Sequence, residues 1–386
     1  MDFSFTDEQR ELQSSIAKVC SKFGDSYWLA RDNDGKFPFE FTAAVAEAGY
    51  FGATIPEEYG GAGLGLTEAA IIMREVGRLG GAAMTSVQLN IFGPHPMVKF
   101  GTHEQKLRLL PRLVNNQDRA CFSVTEPDAG LNTTQIKTFA VKKGNKYVVN
   151  GRKIWTSSAQ NANKIVLLTR TTRFEDCKKS TDGMTLFYTD LDRSKIEIRE
   201  IAKMGRKAVD SNELFIDNFE IPEADRIGEE GKGFHYLLHS INPERICVAA
   251  GFIGGTLNVL EKAARYARER VVFGRPIGQN QAIQHPLAQI WVETQAAELL
   301  LFRAAGLYDA DQPCGLEVNA LKYFVGEMYL KAATQAVRTH GGMGFAKEFH
   351  IERNFRECML AILGPASQEL VLCFIAERAL GMPKSY

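Results

Sequence analysis

The chain divides into three parts that differ in the spacing of their apolar residues. Up to about residue 119, apolar positions recur at the three- and four-residue spacing of helices. Residues 120–229 carry short runs of β-type character, and residues 230–386 return to helical spacing. Because the β-type runs follow one another without intervening helices, we predict an α+β protein: a helical domain (1–119), an antiparallel sheet or barrel (120–229) and a helical bundle (230–386).

Local signals predict where several elements begin. Thr6 precedes acidic residues in a helical pattern, so a helix is expected to start there. The pair Asn150-Gly151 predicts a hairpin-like turn between two strands. Asn242 is a candidate N-cap and Pro243 suits the first helical position, so a long helix is predicted to begin at this pair.

Composition excludes some classes of partner. Forty-six basic residues balance 46 acidic ones, so no net field attracts nucleic acid or an anionic membrane. No run reaches the roughly 18 apolar residues that a membrane helix needs, and the N-terminus lacks a signal or transit pattern. Seven scattered cysteines without C-x-x-C pairs predict reduced thiols and a cytoplasmic location, or the mitochondrial matrix for a processed eukaryotic form.

Metal and nucleotide motifs point away from the commonest classes. His235 and His239 are four residues apart, but no acid follows His235 in the zincin manner, so we expect no metal site. The glycine run at 60–65 lacks the third glycine of a dinucleotide fingerprint, and Gly231-Lys232 is not followed by Ser or Thr. A Rossmann dehydrogenase and a P-loop NTPase are therefore both disfavoured.

Several motifs, in order along nearly the whole chain, closely resemble those of the acyl-CoA dehydrogenases. The motifs that carry the resemblance are the loop at 56–65, Thr125-Glu126-Pro127, Asn150-Gly151-Arg152-Lys153-Ile154-Trp155, the segment 270–277 with Gln281, and 340–345. The resemblance implies a helical N-terminal domain, a middle β-barrel or sandwich and a C-terminal four-helix bundle. It also implies FAD as cofactor and α,β-desaturation of an acyl-CoA thioester by α-proton abstraction and β-hydride transfer to flavin N5.

The resemblance assigns the flavin ring to two segments. Val124 and Thr125 are expected along the ring edge, Trp155 near its face, and Ser157 as a donor toward N5. Taken without the flanking motif, Trp155 is better interpreted as a core aromatic residue of a β-domain. Further members of this predicted set are Phe122, Gly130, Leu131 and Thr156. Leu131 stands where the family commonly has a small hydroxylated residue, so one hydrogen bond near the pyrophosphate or thioester is missing.

The resemblance places the adenosine-diphosphate half of FAD on a neighbouring subunit. Residues assigned to it are Arg270, Phe273, Gln281, Arg338, Gly341 and Gly342, and Ser367 and Gln368 are further predicted cofactor residues. The Arg270 guanidinium offers a fork of donors suited to pyrophosphate, although an ordinary solvated cation is its competing interpretation. Arg338 replaces a usual glutamine and either binds phosphate or makes a subunit contact. A shared cofactor implies at least a dimer, and the family's usual assembly is a homotetramer, a dimer of dimers.

The catalytic base is assigned from two complementary positions. Most of the family carries its glutamate near the C-terminus, where this chain has Gly364. Relatives resembling the isovaleryl and long-chain branches carry it mid-chain, at the position of Glu244. The competing interpretation is a first-turn acid that only complements the helix dipole. With Glu244 as base, Asn242, Arg245 and Gly364 are predicted at the substrate, and the space freed at Gly364 favours bulkier or branched acyl groups.

Two other functions remain open beside the acyl-CoA dehydrogenase that passes electrons to an electron-transfer flavoprotein. One is desaturation of acyl or aminoacyl thioesters on a carrier protein. The other is a flavin-binding relative without dehydrogenase activity. Activity on free acyl-CoA, compared with activity on carrier-loaded substrate, separates the two enzyme functions. A yellow protein that acyl-CoA bleaches anaerobically excludes the relative without dehydrogenase activity.

Overall fold

A computed structural model describes residues 4–80 and 84–385 of the chain. Helices dominate the first part, and Thr6 caps the first of them in a capping box with Gln9, which confirms the predicted helix start. The helices are α1 (Asp7–Ser21), α2 (Asp25–Asp34), α3 (Phe39–Glu47), α4 (Leu66–Leu79), α5 (Met84–Phe92), α6 (His95–Phe100) and α7 (His103–Val114). Their core joins that of the C-terminal helices, because α4 packs directly on the longest of these.

The middle part is one largely antiparallel sheet. Its strands are β1 (Ala120–Ser123), β2 (Phe139–Lys143), β3 (Lys146–Ser157), β4 (Lys164–Arg170), β5 (Met184–Asp190), β6 (Ile196–Glu200), β7 (Ser211–Pro222) and β8 (Arg226–Ile227). They lie in the order β6-β7-β3-β2-β4-β5-β8, and β1 pairs with β4. Two pairings, β1 with β4 and β2 with β4, are parallel, so the expected antiparallel pattern holds for the rest of the sheet only. Parallel neighbours need long connections, and the long segment between β1 and β4 supplies one.

The predicted hairpin-like turn at Asn150-Gly151 is wrong. Strand β3 runs straight through this pair, and β7 pairs with it on both sides of a register shift between Val149 and Gly151. A Cβ on Gly151 would lie 2.4 Å from Thr138 Oγ1, so the glycine leaves room for the Thr138 side chain against the backbone of β3. The long partner strand, which local sequence does not reveal, decides the conformation.

The C-terminal part is a helical bundle with a small hairpin. It contains α8 (Gly233–Glu269), β9 (Val271–Val272), β10 (Arg275–Pro276), α9 (Gln281–Asp309), α10 (Gly315–His340), α11 (Glu352–Glu357), α12 (Met359–Leu363) and α13 (Gln368–Ala379). Helix α8 packs on α4, α9 and α10, and α13 packs on α10. This architecture agrees with the predicted helical, β and four-helix-bundle arrangement.

The predicted start of α8 at Asn242-Pro243 is also wrong. The helix begins at Gly233, and Pro243 lies inside it. An interior proline removes one backbone hydrogen bond and costs about 3 kcal/mol. Buried Leu237, Ser240 and Ile246 flank the proline, and their packing keeps the segment helical across it.

Helix α8 also corrects the expectation that no segment has the character of a membrane span. Its length and apolar composition suffice for a membrane span, but 78% of its apolar 18-residue stretch is buried inside the protein. Contacts with α4, α9 and α10 account for that burial. The helix therefore has the character of a core helix.

Candidate active site

Glu244 lies between the two ends of α8, and its carboxyl group is in surroundings shielded from solvent. It is partly buried, and no side chain in residues 4–80 or 84–385 forms a hydrogen bond or ion pair with its carboxyl group. Burial raises the pKa of Glu244 to about 7, and the neighbouring Arg245 guanidinium opposes the rise. Because α8 begins at Gly233, Glu244 is not in a first helical turn, and the interpretation as a dipole-complementing acid fails.

A polar face of α10 connects Arg245 to the loop around Gly364. Arg245 Nη1 donates to Asn319 Oδ1 at 3.1 Å, and its Nε is buried without a partner among the described residues. One turn along the same face, Lys322 Nζ donates to the carbonyl of Ile362 at 3.3 Å. Burial lowers the pKa of Lys322 to about 8, with the Arg245 charge acting in the same direction. Arg245, which follows Glu244, and Ile362, which lies close to Gly364, are thus both hydrogen-bonded to side chains of α10.

Gly364 leaves room where the usual glutamate of the family stands. Its φ of −143° and ψ of 164° are extended backbone that any residue adopts. A Cβ built there would meet only Leu360 Cδ1, at 3.7 Å. Neither backbone conformation nor space therefore requires glycine at this position. Asn242, the other predicted substrate residue, donates from Nδ2 to Cys314 Sγ at 3.6 Å.

Trp155 stands out from the β-sheet in a conformation unusual for its type. Its φ is +59°, it lies in a register shift of β3 between Lys153 and Thr156, and 56% of its surface is exposed. A bulky residue in the left-handed region costs about 1–3 kcal/mol and is typical of functional sites. The interpretation as a core aromatic residue therefore fails. The backbone N–H of Ile154 donates to the carbonyl of Thr125 at 2.9 Å, which holds the two predicted ring segments together.

The other predicted ring residues divide into accessible and buried ones. Phe122, Val124 and Ser157 are partly exposed, whereas Gly130 and Leu131 are exposed. The Thr156 side chain is buried, and its hydroxyl lies 3.0 Å from Ser123 Oγ inside the sheet, so it does not reach a surface site. Strand alternation turns the Thr156 side chain inward where Trp155 turns outward, and the cofactor role of Thr156 stays a prediction.

The residues assigned to the adenosine-diphosphate half gather at one end of the helical bundle. They follow α8 (Arg270, Phe273), begin α9 (Gln281), and end or follow α10 (Arg338, Gly341, Gly342). All six are exposed, Phe273 fully, and a Cβ at either glycine would meet nothing within 4 Å. This end of the bundle therefore offers two guanidinium groups and open backbone to a ligand or a second subunit.

The last two predicted cofactor residues have different environments. Ser367 caps α13, its Oγ accepting from the N–H of Leu370 at 3.3 Å, so it already has a structural role. Gln368 is buried, and both polar atoms of its amide lack a partner among the described residues. An orphaned buried amide is costly, so a bound group that hydrogen-bonds to Gln368 would stabilise it.

Sequence reasoning missed several residues of this site. Ser158, directly after Ser157, is buried with its backbone in the left-handed region, and its Oγ has no hydrogen-bond partner in residues 4–80 and 84–385. Asn319 and Lys322 also contribute, and so do Lys153 and Glu126 below Trp155. The run of three hydroxylated residues 156–158 was the available signal for Ser158. The others are polar residues in apolar helices or strands, which a single sequence does not distinguish from solvated ones.

No group of three or more His, Cys, Asp or Glu side chains suited to a metal ion occurs in the described ranges. His235 and His239 pack edge to face with centroids 4.9 Å apart, and His239 makes a similar contact with Phe100. Burial lowers the pKa of His239, with Lys99 and His235 acting in the same direction. The pair is therefore accounted for by aromatic packing.

Comparisons with known proteins cover the whole chain. Family models for the acyl-CoA dehydrogenase N-terminal, middle and C-terminal domains match residues 6–117, 121–219 and 231–380. The acyl-CoA dehydrogenase FadE12 of Mycobacterium tuberculosis (strain H37Rv) is 32% identical over 389 residues, covering 100% of both chains.

Two solved structures agree with this match. A glutaryl-coenzyme A dehydrogenase in complex with glutaryl-CoA superposes with a TM-score of 0.94 at 30% identity, over 100% of this chain and 98% of the other. A chain described with the electron transferring flavoprotein of Acidaminococcus fermentans gives a TM-score of 0.94 at 28% identity, over 98% and 99%.

Fold and sequence together define an oxidoreductase of a flavin-dependent class. The chain belongs to the acyl-CoA dehydrogenase family.

Proposed function

We propose that the protein is an FAD-dependent acyl-CoA dehydrogenase that desaturates an acyl-CoA thioester between its α and β carbons, with Glu244 as the base. The observation that carries the proposal is the isolated, desolvated Glu244 carboxyl group, whose pKa burial raises to about 7. A base that removes a weakly acidic α-proton works best with a pKa near the working pH. Arg245 limits the rise in pKa, so a useful fraction of Glu244 is ionised at neutral pH.

The residues present fit FAD. The exposed Trp155, the orphaned Gln368 amide and the open Gly341-Gly342 backbone are features that a bound flavin nucleotide would complete. Val124, Thr125 and Ser157 would hold the ring, and the residues at the end of the bundle would hold the diphosphate half. When bound, the flavin supplies the hydride acceptor. This chain's own task is to orient the thioester and accept the α-proton at the Glu244 carboxylate.

The substrate we propose is a bulky or branched acyl group. Support comes from Gly364, where a Cβ would meet only Leu360 Cδ1, at 3.7 Å, and where glycine leaves that space open. Placing the base on α8 instead leaves that volume for substituents near the reacting carbons. The isovaleryl-like and long-chain-like position of the base agrees with this proposal.

We further propose a homotetramer that shares FAD across a subunit interface, with an electron-transfer flavoprotein as electron acceptor. Support comes from large apolar side chains exposed on the outer helices and hairpin, namely Phe273, Trp291, Val292 and Leu299. A cytoplasmic or mitochondrial-matrix location is consistent with seven unpaired thiols.

The test is anaerobic bleaching of the flavin absorbance by a panel of acyl-CoAs that vary in length and branching. Bleaching by free acyl-CoA, fastest with branched chains, supports the proposal. Bleaching only by carrier-protein-loaded thioesters would establish the carrier-bound substrate instead. A yellow protein that none of these thioesters bleaches would be the flavin-binding relative without dehydrogenase activity.

A further inference from the structure

A fully buried ion pair lies beneath the predicted flavin-ring segments. Lys153 on β3 has no solvent exposure, and its Nζ donates to Glu126 Oε1 and to the carbonyl of Val124, both at 2.9 Å. The Glu126 carboxylate also accepts from the backbone N–H groups of Lys137 at 2.6 Å and Thr138 at 2.9 Å. The pair thus fastens the segment after β1 to β3 at several points.

The ion pair lies next to a bulge in β3, the register shift around Trp155. The register shift against β7 lies between Lys153 and Thr156, and it contains Trp155 at φ +59°. Within the shift, the N–H of Ile154 donates to the Thr125 carbonyl. At its far end, Thr156 Oγ1 lies 3.0 Å from Ser123 Oγ. Contacts from Lys153, Ile154 and Thr156 therefore bind the bulge to the 123–126 segment.

We propose that Lys153 and Glu126 are positioning residues for the flavin. Lys153 holds the Val124 carbonyl and Glu126 in fixed register with the Trp155 bulge, so that the groups facing the ring keep one geometry. The inference rests on the proposed function, since it presumes that the ring lies against Val124, Thr125 and Trp155.

The desolvation cost of a buried ion pair indicates that this pair serves to position groups rather than to increase the stability of the fold. Removing two charges from water is costly, and apolar residues of similar volume often replace a buried ion pair without loss of stability. Burial lowers the pKa of Lys153 to about 8, although the Glu126 carboxylate acts in the opposite direction. The fold therefore keeps this lysine buried despite the cost of desolvating its charge. The backbone strain at Trp155 persists only where surrounding contacts determine it, and Lys153 supplies such contacts.

The experiment compares Lys153→Met with two other variants. Lys153→Arg keeps the charge, and Lys164→Met is the matched control, because Lys164 is a nearly buried lysine of the same sheet that pairs with Asp190 at 2.6 Å. FAD affinity is measured by fluorescence titration and the reduction potential of bound flavin by dye equilibration. We expect Lys153→Met to weaken FAD binding roughly tenfold, the effect of losing one charge-assisted hydrogen bond, and to make the potential more negative.

Lys153→Arg should recover part of both changes, and Lys164→Met should show neither. A Lys153→Met protein whose potential and FAD affinity equal those of Lys164→Met overturns the inference.

A double variant, Glu126→Gln with Lys153→Met, guards against simple misfolding. Neutralising both partners should restore thermal stability toward wild type while the potential stays shifted. If stability and potential return together, the pair is only structural and the inference fails. A wild-type protein that binds no FAD would refute the proposed function instead, so the two failures are distinguishable.

Discussion

Replacing Glu244 by glutamine tests the base through both catalysis and stability. Glutamine keeps the size and shape of the side chain but has no ionisable group. Because no described residue forms a hydrogen bond or ion pair with the Glu244 carboxyl, the change breaks no contact. We expect the variant to fold and bind FAD, and to lose about 10²–10⁴ in the rate of flavin reduction by substrate, the usual contribution of a general base.

The stability effect follows from the pKa. A rise from 4.5 to about 7 means that the folded chain binds this proton more tightly than the unfolded chain. Ionising Glu244 therefore lowers the free energy of unfolding. This loss is absent below pH 4.5, grows as the pH rises from 4.5 to about 7, and is complete above about pH 7. Its ceiling is about 3 kcal/mol, since one pKa unit corresponds to ~1.4 kcal/mol. Glu244→Gln should exceed wild type in stability by up to about that amount at pH 8, and match it near pH 4.5.

Urea unfolding at pH 4.5 and pH 8, and stopped-flow flavin reduction between pH 6 and 9, are the assays. The control is Glu261→Gln on the same helix, where the carboxylate is half exposed and paired with Arg78 at 2.7 Å. That variant should leave the pH dependence of both measurements unchanged. Near-normal flavin reduction by Glu244→Gln would refute the assignment of the base. An equal stability difference at both pH values would refute the desolvated carboxyl group.

Three further predictions concern the same site. Adding Gly364→Glu to the Glu244→Gln variant should recover part of the lost flavin reduction, because a Cβ at 364 meets only Leu360 Cδ1, at 3.7 Å; no recovery in stopped-flow assays contradicts this. Arg245→Met should move the inflection of the reduction rate to higher pH, since the guanidinium lowers the pKa of Glu244; an unmoved inflection would show that this charge does not act on the base. Trp155→Ala should weaken FAD roughly tenfold in titrations without lowering the melting temperature, because the side chain is exposed and its backbone strained; unchanged affinity would place the ring elsewhere.

Much of the fold and part of the site could be predicted from sequence. Helical and β-type spacing separated the three regions, because one-sided burial imposes periods of 3.6 and 2 on apolar residues. The motifs around Thr125, Trp155 and Gly341 identified the family, which the comparisons confirm. The absence of a carboxylate at Gly364, together with the presence of Glu244, was also visible in the sequence.

Errors arose where distant packing overrode local preference. Asn150-Gly151 is a turn signal, yet β7 keeps β3 extended through it. Asn242-Pro243 is a helix-start signal, yet α8 continues through it because both flanks are buried. In both cases the local preference is worth a few kcal/mol at most, and burial of the flanking segments outweighs it.

What the sequence determined by itself is therefore the order of the domains, the family and the identity of the candidate base. Only the tertiary structure decided that Glu244 is an acid inside a long helix, with a pKa near 7 and no ion-pair partner among the described residues. It also decided that Lys153 is buried under the Trp155 bulge, with Glu126 as its partner. The physical reason is that desolvation and ion pairing depend on which segments surround a charge, and those segments come from distant parts of the chain.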